Sequence, residues 1–165
     1  MAIGLLTLAL VGSVSLLATI VLGHQLPADP GAVRRHFLAA LGTTTILVMA
    51  HSFIMFFLIA TGVEMKDLEK QRGWGNSFRR RTVGMKSKVF PPMTLALLLV
   101  MANFILGAAA HTRAIPGWVH GVVAWSTLAV CLAALWREYQ VLGENNRLID
   151  EVARRRRSED PGARS

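Results

Sequence analysis

The chain has 165 residues, 53% of them hydrophobic and 17% charged, with a mean hydropathy of +0.44 and a net charge of +8. A soluble domain of this length carries more charge and spreads it evenly. Here residues 1–23, 37–63, 89–110 and 115–136 contain no Asp, Glu, Lys or Arg, which leaves no room for a soluble catalytic domain.

Each uncharged run is long enough for the roughly 20 helical residues that cross a 30 Å hydrocarbon core. The expectation is an all-α, integral membrane four-helix bundle with spans at about 1–23, 37–62, 91–111 and 116–136. Residues 1–23 lack the basic n-region and the small-residue cleavage site of a secretion signal, so they are read as the first membrane helix. Pro27, Pro30 and Gly31 break the chain before the second span. Gly73, Gly75 and Asn76 interrupt a basic loop over 64–88. Pro91 and Pro92 are placed in the first turn of the third helix, where proline is tolerated. The stretch "HTRAIPGWVH", residues 111–120, then reads as a tight hairpin, with Pro116 opening the fourth helix.

Beyond Trp136 the pattern changes. Val141, Leu142, Leu148, Ile149 and Val152 recur at helical spacing between charges, which predicts an amphipathic cytoplasmic helix over 137–157, as an extension of the fourth span or on the membrane surface. Residues 158–165 read as a solvated polar tail. Trp118 and Trp136 suit the interfacial aromatic belt. Met49, Met55, Met93 and Met101 read as packing residues. The single cysteine, Cys131, rules out a disulfide framework and a cysteine-based zinc site.

The basic surplus is uneven. The 64–88 loop and the segment from Arg137 hold 15 of the 18 basic residues, and only Arg34, Arg35 and Arg113 fall on the other side. Basic loops stay cytoplasmic, so both termini are expected inside, in what is read as a bacterial inner membrane. The charge therefore marks topology and anionic lipid rather than nucleic acid.

The five histidines, His24, His36, His51, His111 and His120, all lie in or beside apolar runs, and each of the four helices contributes at least one. Counting at about 1.5 Å per residue places His51 roughly 16 Å and His120 roughly 24 Å above the cytoplasmic boundary. His24, His36 and His111 fall at the outer surface. Imidazole in hydrocarbon is costly unless hydrogen-bonded or ligated, and facing helices are a common way to hold haem. Two pairings are drawn: His51 with His120 inside the membrane, and His36 with His111 nearer the surface. Gly107, Gly117 and Gly121 supply room for a ring, and Arg34, Arg35 and Arg113 suit haem propionates.

In plan, the chain is similar to the b-type cytochrome anchors of respiratory complexes. The expectation is a cytochrome b subunit with one or two b haems, moving electrons between the quinone pool and a periplasmic carrier, beside other membrane subunits or further copies of itself. The alternatives are a cofactor-free accessory subunit and a copper- or zinc-binding membrane protein using the outer histidines, with His24 as an extra ligand. Hydrolytic and phosphoryl chemistry have no visible apparatus, and no paired carboxylate is expected inside the membrane.

Overall fold

The computed structural model describes residues 2–25 and 31–159. Pro27, Pro30 and residues 160–165 of the polar tail lie outside them. Four helices account for almost everything described: α1 (Ala2–His24), α2 (Ala32–Arg72), α3 (Ser77–His111) and α4 (Gly117–Glu159). Each is long and apolar enough to cross a membrane.

The helices run up and down around a square. Helices α1 and α3 each pack against both α2 and α4, while α2 and α4 face each other across the diagonal. We call the end with the 112–116 connection the hairpin end, and the opposite end, with residues 73–76, the charged end.

Within the most apolar window of each helix no more than 39% of residues are buried. Large side chains such as Phe56, Leu98, Ile105 and Leu132 therefore face outward. Such an exterior suits lipid and not water. The interior is built from Leu47, Ile54 and Leu58 of α2, Val89 and Met93 of α3, and Leu142 and Leu148 of α4. Small residues bring the backbones close, as expected where packing rather than water drives association. At Gly12 of α1 an added Cβ would stand 2.7 Å from Leu47 Cδ2.

Two features differ from the sequence-based expectation, and a third decides between its alternatives. First, α2 spans 41 residues, about 60 Å of helix and twice the hydrocarbon core. The expected 64–88 loop is therefore mostly helix, and the true connection is 73–76. Gly73 and Gly75 take positive φ values of 66° and 81° there, which glycine tolerates without strain. Second, Pro91 and Pro92 lie inside α3 and not in its first turn. Their missing N–H groups leave the carbonyls of Ser87 and Lys88 outside the helical ladder. Third, residues 137–157 continue α4 unbroken through Gly143 and the Asn145–Asn146 pair, so of the two placements expected for this segment the structure takes the extension of the fourth helix.

Contacts at the charged end explain this extension. Glu69, 4% exposed, turns its carboxylate onto the start of α3, accepting from the backbone N–H of Phe78 at 2.6 Å and Arg79 at 3.3 Å. A carboxylate there satisfies orphan donors and complements the helix dipole. Arg81 of α3 meets Glu151 of α4 at 2.6 Å. Trp74 donates to Glu159 at 2.9 Å, and the Arg155 guanidinium sits 4.6 Å from the Trp74 ring centre. These bonds hold the last turns of α4 against α3.

Candidate functional site: polar pairs across the bundle diagonal

Three polar contacts, in three tiers, link α2 and α4 across the diagonal. At the hairpin end, the rings of His36 and His120 lie 6.3 Å apart, centre to centre, with planes at 81°. Farther in, Nδ1 of His51 stands 2.5 Å from Oε1 of Glu138. Nearer the charged end, Asn145 Nδ2 donates to Thr61 Oγ1 at 3.4 Å.

Helix geometry makes these tiers consistent. His36 and His51 are 15 residues apart on α2, about 22 Å, and His120 and Glu138 are 18 apart on α4, about 27 Å. At 100° per residue, the 18-residue spacing returns to the same face of α4.

The pairing is not the one drawn from depth. His120 stands with His36, whereas His51 meets Glu138. The depth count took Trp136 as the inner boundary of α4. Arg137 points outward, however, while the buried face runs on through Glu138, Val141, Leu142 and Asn145. The last uncharged residue marks where the uncharged run ends in the sequence, not where the helix stops packing against its neighbours.

The hairpin-end pair is held by its surroundings. His36 Nδ1 donates to the Thr19 carbonyl of α1 at 3.1 Å, which leaves Nε2 as the nitrogen with a free lone pair. A Cβ on Gly23 would come within 3.1 Å of the His36 ring, and one on Gly107 within 3.2 Å of the His120 ring. Each imidazole thus lies flush against a glycine of the adjoining helix. Gly107 was legible as a candidate. Gly23 was not, and Gly117 and Gly121 meet nothing within 4 Å. The Nδ1 atom of His120 is buried without a partner among the described residues, as is Oδ1 of Asn103 on α3.

The remaining candidates sit apart. His24 bonds back to its own helix through Ile20 O at 2.9 Å. His111 is exposed at the end of α3, four residues beyond Gly107. Arg34 and Arg35 precede His36 in the first turn of α2, and exposed Arg113, with φ 61°, lies in the hairpin, so all three belong to this end. Among the described residues no three His, Cys, Asp or Glu side chains are grouped to share a metal ion.

Glu138 is the residue the sequence reading missed. It and His51 are both 0% exposed, and their second atoms, Oε2 and Nε2, have no partner among the described residues. A signal was present, since Ala124, Leu128, Cys131, Glu138, Leu142, Asn145 and Val152 keep a three-four spacing that puts Glu138 and Asn145 in core positions.

The fold and site define a class: an all-helical bundle with an apolar exterior and polar pairs across its centre. No known protein family, curated protein or solved structure matches the chain.

Proposed function

We propose that the protein is an integral membrane electron carrier that holds one b-type haem between His36 and His120. The observation that carries this reading is the ring separation. An imidazole nitrogen ligates a transition metal at about 2 Å and stands about 1.1 Å from its ring centre, so two imidazoles on opposite sides of one metal have centres about 6 Å apart. The rings of His36 and His120 are 6.3 Å apart.

The donor count favours haem over a bare ion. Zinc and copper sites generally draw three or four ligands from the protein, whereas a porphyrin supplies four nitrogens and asks the protein for two. The bond from His36 Nδ1 to a backbone carbonyl is the orienting arrangement typical of ligating histidines. Arg34, Arg35 and Arg113 provide cations for the propionates at this end. When bound, haem would supply one-electron chemistry, and His36 and His120 would hold it.

By the positive-inside rule the charged end faces the cytoplasm of a bacterial inner membrane, with both termini inside. The haem then lies near the outer face, suited to passing electrons between quinol and a periplasmic carrier. This reading pairs His36 with His120 in place of the two pairings drawn from the sequence, His51 with His120 and His36 with His111, and leaves His51 hydrogen-bonded to Glu138.

The test is an absorption spectrum of the purified protein, oxidised and then reduced with dithionite. A low-spin b-type spectrum, lost in His36→Ala and in His120→Ala, is the expected result. A colourless protein, made with ample haem and its native partners, overturns the reading in favour of a cofactor-free accessory subunit.

A further inference from the structure

Where α1 begins, toward the charged end, its first turns, α4 over 137–147 and Lys88 of α3 line an open cleft of about 560 Å³. Ile3 and Leu6 supply apolar lining, and Lys88, Arg137, Gln140 and Arg147 line the same cleft together with the carboxylate of Glu144. A smaller cleft of about 330 Å³ continues from it along α3 and α4, sharing Lys88 and Arg147 and adding Arg81.

Two observations give this cleft a ligand class. Among the described residues Arg137 and Arg147 have neither an ion pair nor a side-chain hydrogen bond, and Lys88 has only a long contact of 3.4 Å to Glu144. The cleft thus holds three cations against one carboxylate, Glu144, which only Lys88 meets. The level is also marked by Trp136 and Tyr139, both outward-facing, whose rings stack at 5.9 Å on the same stretch of α4. Such aromatic pairs mark the boundary between hydrocarbon and headgroups.

We infer that this cleft binds the headgroup phosphate of an acidic phospholipid, held by Arg137, Arg147 and Lys88, with the acyl chains rising along Ile3 and Leu6. Guanidinium forks suit phosphate oxygens, and Gln140 offers an amide donor beside them. The apolar wall distinguishes a lipid from a free anion, which would gain nothing from Ile3 and Leu6. The inference rests on the membrane-spanning reading and is independent of the haem.

The experiment uses the full chain, extracted in detergent and assayed by native mass spectrometry with phosphatidylglycerol or phosphatidylcholine added. Wild type is expected to retain phosphatidylglycerol about tenfold better, since each interfacial cation adds measurably to the attraction. Arg137→Gln with Arg147→Gln should bring the two lipids to parity, with unchanged helicity by circular dichroism. Arg154→Gln with Arg156→Gln, farther along α4, should keep the preference. Equal retention by wild type overturns the inference, and so does an equal loss from the distal pair, which would mean diffuse charge. Inorganic phosphate that binds with the same arginine dependence, with no lipid retained, overturns it in favour of a free anion. Release of the protein from membranes by alkaline carbonate would instead overturn the membrane-spanning reading.

Discussion

His51 of α2 and Glu138 of α4 form a hydrogen-bonded pair across the bundle diagonal, Nδ1 to Oε1 at 2.5 Å, with neither residue exposed. Removing one partner of such a pair strands the other in a low-dielectric interior, at a cost of about 3–5 kcal/mol, whereas replacing both with apolar residues is often neutral. Glu138→Leu and His51→Leu should each lower the unfolding midpoint in micelles, and the double variant should recover most of the loss. Additive losses would show that the two residues act separately.

The ligand assignment separates three histidines. His120→Gln should abolish the b-type spectrum, because glutamine is a poor haem ligand. His111→Gln should leave it intact, since His111 is exposed and the ring paired with His120 is that of His36. A His51→Leu, Glu138→Leu double variant should still bind haem. A band that survives His120→Gln and is lost with the double variant would move the site inward.

Glycines against the rings give a steric test. Gly107→Val puts atoms where the His120 ring now lies, only 3.2 Å from the position of an added Cβ. Haem content should fall several-fold while the helical content stays unchanged. Gly121→Ala, where nothing stands within 4 Å, is the control and should bind haem normally. Equal haem content in both variants would show that the ring has room to move.

The Glu69 carboxylate caps α3, and a lost cap costs about 1 kcal/mol, more where the group is buried. Glu69→Ala should lower the unfolding midpoint and expose the 73–76 turn to trypsin at Arg72 and Arg79. Unchanged cleavage kinetics would show that the turn glycines alone hold the connection.

Orientation is read with single cysteines in a Cys131→Ala background. A cysteine at Ala114, in the hairpin, should react with an impermeant maleimide on intact cells, and one at Ser87 only after lysis. The reverse pattern would place the His36–His120 pair at the cytoplasmic face.

The four spans, the outward apolar surface and the crowding of cations at one end were all legible in the sequence. Each depends on composition within a window, and the lengths of the uncharged runs are set by hydrocarbon thickness. The presence of histidine on all four helices was equally plain. Which histidine meets which was not. Periodicity tells which face of a helix is buried, but the offset of one helix along its neighbour is decided by packing such as Gly12 against Leu47 and by bonds such as Glu69 to Phe78. Only the tertiary structure set that offset. It carried the buried face of α4 past Arg137, matched Glu138 to His51, and left His120 beside His36. A charged residue ends an uncharged run in the sequence, but it need not end a buried face, because Arg137 and Glu138 project from different sides of one helix.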